Sequence, residues 1–246
     1  MMEKVFLVLI VAEKAADSIS SYRAKVFILN LIAVEYAKAE QTQKALLIFD
    51  KAVNVAGSIS DDSDKVWALK DIAVELVKAR QFDKAVNVAG SISDDSSKAL
   101  ALKDIAVELT KAGQFDKSLN VAGSISVDYF KAEALRNIAV ELAKAGQSDK
   151  AVNVARSISD DSDKVWALKD IAVELAKAGQ FDKAFDVAGS ISYDSDKAEA
   201  LRDIASELAK TGQFDKSLNV AGSISDDFYK AEALKNIAVE LAKAGQ

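Results

Sequence analysis

The sequence predicts an all-α fold, an α-solenoid built from tandem antiparallel helix pairs. A segment of 33 residues recurs along most of the chain, and a repeat of this length is typical of stacked supersecondary units. Apolar residues in each copy are spaced three and four apart, as on one face of a helix. Proline is absent, so only Gly and short Asp/Ser clusters interrupt the helices. Two helices per copy give about 14 helices.

The repeat occurs in two lengths. Residues 1–40 align with residues 41–80 through shared SIS and IAVE motifs, and later copies follow at a period of 33. The extra seven residues precede Asp50, and seven residues are close to two helical turns, so they lengthen a helix without turning its apolar face. We therefore expect one solenoid over residues 1–246. In it, residues 1–80 form two 40-residue units with a longer second helix, and residues 81–246 form 33-residue units, the last incomplete.

The first helix of a unit, hereafter a first-type helix, is represented by residues 63–80. Ser63 or Asp62 is expected to cap its start with a side-chain oxygen. Its apolar stripe has the spacing of one helix face and consists of Leu69, Ile72, Ala73 and Leu76. A solvated stripe lies beside it, with Glu75 and Lys78 placed to pair at i,i+3.

A Gly ends this helix in the later units, where it is expected to take the left-handed conformation. These glycines are Gly113, Gly146, Gly179, Gly212 and Gly245. Glu40 and Arg80 stand in their place in the first two units, so less sharply turned ends are expected there.

The second helix of a unit, hereafter a second-type helix, is represented by residues 82–91. Its predicted apolar stripe is Phe82, Ala85, Val86 and Ala89. A helix this short is marginal in isolation, so we expect it to depend on its neighbours.

Composition argues against several functional classes. The chain has no Cys and no His, which excludes thiolate nucleophiles, disulfides, His general bases and the usual zinc sites. The net charge of −6 argues against nucleic-acid binding. Paired carboxylates such as Asp71 and Glu75 recur along the chain, as at Asp104 and Glu108, whereas a catalytic site is usually a unique constellation. We expect no enzymatic activity and no cofactor.

The amino-terminal segment Val5–Ala12 is apolar and resembles the core of a short signal peptide. Glu13 and Lys14 follow at once, no cleavage site is evident, and the segment aligns with the second repeat. No apolar run reaches the length of a membrane span. We expect a cytoplasmic protein that does not enter a membrane, with a signal peptide as the alternative.

At this level the repeat resembles the tetratricopeptide family, whose unit is a helix–turn–helix with fixed apolar, small, aromatic and Gly positions. The matching residues in one unit are Leu168, Ile171, Ala172, Leu175, Gly179, Phe181, Ala184 and Ile191. The chain departs from the family where Ala188 replaces an aromatic and where the terminal Pro is missing. The resemblance implies a right-handed superhelix whose first helices line a concave side and hold a peptide or protein segment.

Carried over position by position, the resemblance implies a set of partner-binding residues on the concave face. They are Phe27, Asn30, Trp67, Lys70, Val74, Leu100, Lys103, Val107, Arg136, Trp166, Lys169, Arg202 and Lys235. Each row has a structural alternative. In the structural alternative, the Trp side chains are partly buried and contribute to packing. The Lys and Arg residues of the set, the Lys/Arg row, pair with nearby acids. The Val residues, the Val row, pack between adjacent first-type helices.

The leading functional hypothesis is a scaffold that binds a protein or peptide of unknown identity. The alternative is a structural protein that self-assembles through its ends. The apolar Val5–Val11 helix motivates this alternative, together with a carboxyl-terminal stripe that has no second-type helix after it. That stripe, the predicted contact of a homo-oligomer, is Leu234, Ile237 and Leu241.

Overall fold

The computed structural model describes residues 2–245, with side chains from residue 7 onward; Val5 and Phe6 therefore lie outside the described side chains. Within this range the chain forms 14 helices and no strand, which confirms the predicted all-α class. The first-type helices are α2 (Tyr22–Lys38), α4 (Asp62–Lys78), α6 (Asp95–Lys111), α8 (Asp128–Lys144), α10 (Asp161–Lys177), α12 (Asp194–Lys210) and α14 (Asp227–Lys243). The second-type helices are α1 (Met2–Asp17), α3 (Thr42–Gly57), α5 (Phe82–Gly90), α7 (Phe115–Gly123), α9 (Ser148–Arg156), α11 (Phe181–Gly189) and α13 (Phe214–Ser223).

The contacts divide the chain into two compact units, Met1–Lys131 and Ala132–Gln246. Within each unit a first-type helix packs against the second-type helix that follows it and against the next first-type helix. Short connections between paired helices make the partners antiparallel. Each unit is therefore an α-solenoid. The helix α3 has 16 residues whereas α5 has 9. One superhelix over the whole chain, and its right hand, remain predictions.

Four first-type helices, α4, α6, α10 and α14, are capped by an Asp, which in α4 lies before the predicted cap. Asp61 is the N-cap of α4, and its Oδ1 accepts a hydrogen bond of 2.8 Å from the backbone N of Asp64. Asp94 and Asp160 do the same for α6 and α10. The expectation of Ser63 or Asp62 as cap was wrong. A cap needs extended backbone, which Asp61 has (φ −78°, ψ 121°), whereas the next residue already belongs to the helix.

All first-type helices of the later units end in the predicted left-handed Gly, with φ between 72° and 76°. Glu40 and Arg80 adopt the same conformation, with φ of 60° and 58°, so the expectation of looser turns was wrong. The hydrogen bond from Gln81 N to Leu76 O is 2.8 Å long, as is the equivalent bond from Gln114 N to Leu109 O. This hydrogen bond closes the helix end and so sets the left-handed conformation. A residue with a side chain in that conformation costs about 1 kcal/mol of stability.

The core lies between the two helix types and contains the predicted first-type stripe, because Leu69, Ile72, Ala73 and Leu76 are all buried. On α5 the buried residues are Phe82, Ala85, Val88 and Ala89. Val88 takes the place that the sequence assigned to Val86, because residue 88 follows residue 85 by three positions and shares its face, while Val86 lies at the flank and is half-buried.

Buried hydroxyl groups connect the paired helices at one recurring position. Ser217 on α13 donates a hydrogen bond of 2.6 Å from Oγ to the carbonyl O of Ala205 on α12. Ser118 on α7 donates one of 2.7 Å to Ala106 O on α6. These bonds show which residues of a first-type helix face the second-type helix that follows.

Candidate functional site

The candidate site is the first-helix face, which we define by Trp67, Lys70 and Val74 on α4 and their counterparts on the other first-type helices. These positions are three and seven residues apart, so they lie on one side of the helix. Neighbouring first-type helices pack side by side within each unit. The face therefore continues from helix to helix inside a unit.

Trp67 lies at the edge of this face and is 40% exposed. The Cζ atom of Arg23 on α2 is 5.0 Å from the centroid of its ring. The same guanidinium forms an ion pair of 2.6 Å with Asp64, one turn earlier on α4. Stacking of this kind contributes about 0.5–1 kcal/mol at an exposed site, and it leaves much of the indole open to a partner.

Trp166 repeats this cluster in the second unit and is 47% exposed. The Cζ atom of Arg136 on α8 is 5.7 Å from its ring centroid, and a guanidinium nitrogen of Arg136 is 3.7 Å from Asp163. Arg136 is the counterpart of Asn30, whereas Arg23 lies seven residues before Asn30. The two clusters are thus built from different positions on the preceding helix.

At the next interface, between α10 and α12, carboxylates occupy the positions that correspond to Asp163 and Trp166. The Nζ atom of Lys169 is 2.9 Å from Glu199, the counterpart of Trp166, and 3.5 Å from Asp196. Burial alone would lower the pKa of Lys169, but the hydrogen bond to Glu199 and the charges of Glu199 and Asp196 outweigh it, so the pKa is raised. The ammonium of Lys169 is therefore stabilised as part of an ion-pair cluster.

Arg202 on α12 combines both kinds of contact with α14. It pairs with Glu232 of α14 at 2.8 Å, and its Cζ lies 5.4 Å from the ring centroid of Tyr229. It also pairs at 2.8 Å with Asp203, the next residue of α12. Lys169 and Arg202, two members of the predicted Lys/Arg row, therefore both form ion pairs with the next first-type helix.

The Val row lines shallow grooves between adjacent first-type helices. Val74 and Val107 line the groove between α4 and α6, and both are half-buried. Val173 and Val239 line a similar groove in the second unit. Ion pairs flank these grooves. One is the predicted pair of Glu75 and Lys78, whose Oε1 and Nζ atoms are 2.6 Å apart. The row thus both packs between helices and forms the floor of an open surface.

Asn30 is a correction to the predicted set. It is 1% exposed, and its Nδ2 donates a hydrogen bond of 2.8 Å to Asp71, so it ties α2 to α4 and is inaccessible to a partner. The sequence placed it on the face by counting from Lys70. A short amide at that position does not extend from the interface as a Lys side chain does.

The remaining predicted residues lie on the first-type helices with differing exposure. Phe27 is 50% exposed, and Leu100 is half-buried. Lys70 lines a hollow with Trp67, Lys103 is 3.2 Å from Asp104, and Lys235 is exposed.

Arg23, Asp64 and Asp163 were not predicted as site residues. One sequence signal could have found the acids, because Asp precedes each Trp by three residues and so lies on the same helix face. Arg23 carried no such signal, because its contact depends on how α2 and α4 are offset.

The predicted carboxyl-terminal stripe is only partly accessible. Leu234 is 42% exposed, whereas Ile237 is 1% exposed, so Ile237 does not belong to an outer surface. Leu241 is half-buried. Ile237 is buried because it faces the preceding helices, on which α14 packs.

Residues 2–245 lack two features that other classes of function would need. In that range no group of three acidic side chains is arranged to hold a metal ion. None of the helices described there has the length and apolar character needed to cross a lipid bilayer.

No protein-family model matches the chain, and no curated protein matches it. Among solved structures, Ton1535 from Thermococcus onnurineus NA1 is similar at 18% identity over 96% of this chain and 85% of that one, with a TM-score of 0.39. A structure described as "Computational Design of Self-Assembling Cyclic Protein Homooligomers" is similar at 22% identity over 99% and 80%, with a TM-score of 0.15. At these TM-scores neither similarity bears on function.

Proposed function

We propose that the chain is a tetratricopeptide-like interaction scaffold that binds a peptide or protein segment on its first-helix face. One observation carries the proposal: Trp67 and Trp166 are 40% and 47% exposed although each is held in place by an arginine. Trp and Arg dominate the binding energy of many protein interfaces. An indole fixed by a guanidinium loses little conformational entropy on binding, which favours affinity.

The grooves of the first-helix face support the same proposal. Val74 and Val107 provide an apolar floor between helices, and charged pairs flank it. A floor of this kind, with a polar rim, suits an extended or helical segment of a partner. The acidic pairs recur in several units, so we include no catalytic activity in the proposal.

The test is selection from a random peptide library displayed on phage, with the whole 246-residue chain as the target. We expect selected peptides to bind at least tenfold more weakly when Trp67→Ala and Trp166→Ala are combined. Phe185→Ala is the matched control, because Phe185 is a 43% exposed aromatic on the second-type helix α11. Peptides that depend on Phe185 and not on either Trp would contradict the proposal.

A second candidate function is self-association of the chain into a structural assembly. It is favoured by exposed apolar side chains on two helices, since Leu234 on α14 is 42% exposed and Val8 on α1 is 65% exposed. Light scattering over a wide range of protein concentrations tests it. A mass that stays at the monomer value at every concentration would contradict it.

A further inference from the structure

The groove between the second-type helices α11 and α13 contains an exposed aromatic side chain in the interior of the repeat. Both helices pack on α12, whose buried Ile204 and Leu208 line the floor of the groove. Phe185 lines the wall on α11 and is 43% exposed. Its counterparts Val86 on α5 and Val152 on α9 are both half-buried. Because α11 has a second-type helix before it and after it, the exposure of Phe185 is a property of this groove.

The rim of the groove carries two charges that are paired between other second-type helices. There, a Lys Nζ atom lies 2.6, 2.9 or 3.3 Å from an Asp of the preceding second-type helix. These pairs are Lys84 with Asp50, Lys117 with Asp83, and Lys183 with Asp149. The counterparts in the groove are Lys216 on α13 and Asp182 on α11. Within the described part of the chain, neither of them forms an ion pair.

A second carboxylate, that of Asp186, lines the same wall. The counterparts of Asp186 in the other copies are amides, namely Asn54, Asn87, Asn120, Asn153 and Asn219. Asp186 follows Asp182 by four residues, so both lie on one side of α11. Among the described residues Asp186 also has no ion-pair partner. The groove thus holds two unpaired carboxylates against the single ammonium of Lys216, and its net charge is negative.

The groove has the size and the lining of a site for a small molecule. Its volume is about 310 Å³, at the lower end of the range of roughly 300–1,000 Å³ that is usual for ligand sites. Phe181, Phe185 and Leu208 supply apolar surface, and the carboxylates supply a few polar groups at the rim. An ammonium group is attracted both by a carboxylate and by the face of an aromatic ring. The lining therefore favours a cation that also carries an apolar body.

We propose that the α11–α13 groove binds a small organic cation. The apolar body of this ligand lies against Phe181 and Phe185, and its ammonium group pairs with Asp182 and Asp186. The ligand thus takes the place that a Lys ammonium occupies between the other second-type helices. Lys216 competes with it, because the Lys216 ammonium reaches the same carboxylates when its side chain turns. The site lies on second-type helices, so it does not depend on the function proposed for the first-helix face.

The test is a titration of the whole 246-residue chain, labelled with ¹⁵N and followed by NMR near neutral pH. The probe is phenethylamine, which is a cation at this pH, and 2-phenylethanol is its neutral control. We expect the amide resonances of residues 181–186 and 216–220 to shift and to saturate. The alcohol should bind about fivefold more weakly, because it lacks the charge. Equal affinities for the two compounds, or shifts confined to other residues, would overturn the proposal.

Four variants test the lining of the groove. Phe185→Val installs the residue of α5 and α9, and Asp186→Asn installs the residue of the other copies. Each should weaken the binding of phenethylamine about threefold. Lys216→Gln should strengthen it about threefold, because the competing ammonium is removed. Asp83→Asn is the matched control and leaves the affinity unchanged, because that carboxylate lies outside the groove and is already paired.

The outcomes also identify other kinds of ligand. Weaker binding in Lys216→Gln would show that Lys216 holds an anionic group of the ligand, which contradicts a site for cations. A lysine-rich peptide that binds the groove when phenethylamine does not would show a docking surface for proteins and reject the small cation. Unchanged affinity in both Phe185→Val and Asp186→Asn would reject the site itself. Combined Trp67→Ala and Trp166→Ala should leave the affinity unchanged, which separates this inference from the proposed function. Circular dichroism of each variant checks that it is folded.

Discussion

Two adjacent interfaces of the second unit fill the same register in different ways. Between α8 and α10, Arg136 stacks on Trp166. Between α10 and α12, the counterpart Lys169 pairs with Glu199, the counterpart of Trp166. A cation bridges neighbouring first-type helices in both places. In these two interfaces the cation keeps a partner on the next helix, and the partner is an aromatic ring in one and a carboxylate in the other.

The difference between the two interfaces is exposed apolar surface. Trp166 is 47% exposed, which is unfavourable in water unless a partner covers it. Glu199 fulfils the structural requirement with a group that water solvates well. We infer that binding is concentrated where copies of the repeat differ, at the Trp clusters, and that the ion-pair clusters serve stability.

The substitution Trp166→Glu converts the first interface into the second and has the largest expected effect. A library-selected peptide should bind about 30-fold more weakly, the effect of losing about 2 kcal/mol at an interface hot spot. The free energy of unfolding should change by less than about 1 kcal/mol, because Arg136 gains a carboxylate partner. Calorimetric titration and urea unfolding measure the two quantities. Unchanged affinity, with Trp67 also replaced, would reject the binding role.

The substitution Lys169→Met breaks the second interface and leaves Glu199 and Asp196 without their shared cation. We expect the free energy of unfolding to fall by about 1 kcal/mol, a modest loss because the pair is partly solvated. A double-mutant cycle with Glu199→Gln should give a coupling of about 0.5 kcal/mol. A coupling of zero would show that the contact does not stabilise the interface.

The pH dependence of the free energy of unfolding should distinguish Lys169 from an Arg at the same position. The pKa of Lys169 is raised in the folded state, so its contribution is fully present below its unfolded pKa of about 10.4. It is lost as the pH rises through the higher folded-state pKa. Lys169→Arg should remove this step, because guanidinium stays protonated. Urea unfolding between about pH 9 and 11.5 measures it, and identical profiles for the two proteins would contradict the assignment.

The acids beside the Trp residues should matter least. Asp163 is 3.7 Å from Arg136, and Asp64 is 2.6 Å from Arg23, whose side chain is 54% exposed. Asp163→Asn and Asp64→Asn should each change the free energy of unfolding by less than about 0.5 kcal/mol. For Asp64, whose side chain is 42% exposed, the change should disappear in about 1 M salt, where exposed charges are screened. A larger, salt-independent loss would mean that the acid positions the ring.

The sequence was sufficient for features that repeat locally. The spacing of Leu69, Ile72 and Leu76 predicted the buried stripe, and Glu75 with Lys78 predicted an ion pair, because both depend on helix geometry alone. The left-handed turn at Arg80 was not predicted, because closure of the helix end, and not residue type, sets that conformation.

Features between helices could not be obtained from spacing alone. Arg23 reaches Trp67 from seven residues before Asn30, the counterpart of Arg136, and this contact depends on the offset between α2 and α4. Asn30 shares the register of Lys70 but is buried, because its short amide bonds to Asp71 within the interface. Contacts of this kind follow from packing, which the repeat pattern does not encode.

The central claim is that a partner covers the Trp residues of the first-helix face. The chain has two Trp residues, so the protein labelled with 5-fluorotryptophan should give two fluorine resonances, which Trp67→Phe assigns. Adding a library-selected peptide should shift the resonance of Trp67, Trp166 or both in proportion to the bound fraction. Saturating binding that moves neither resonance would contradict the account.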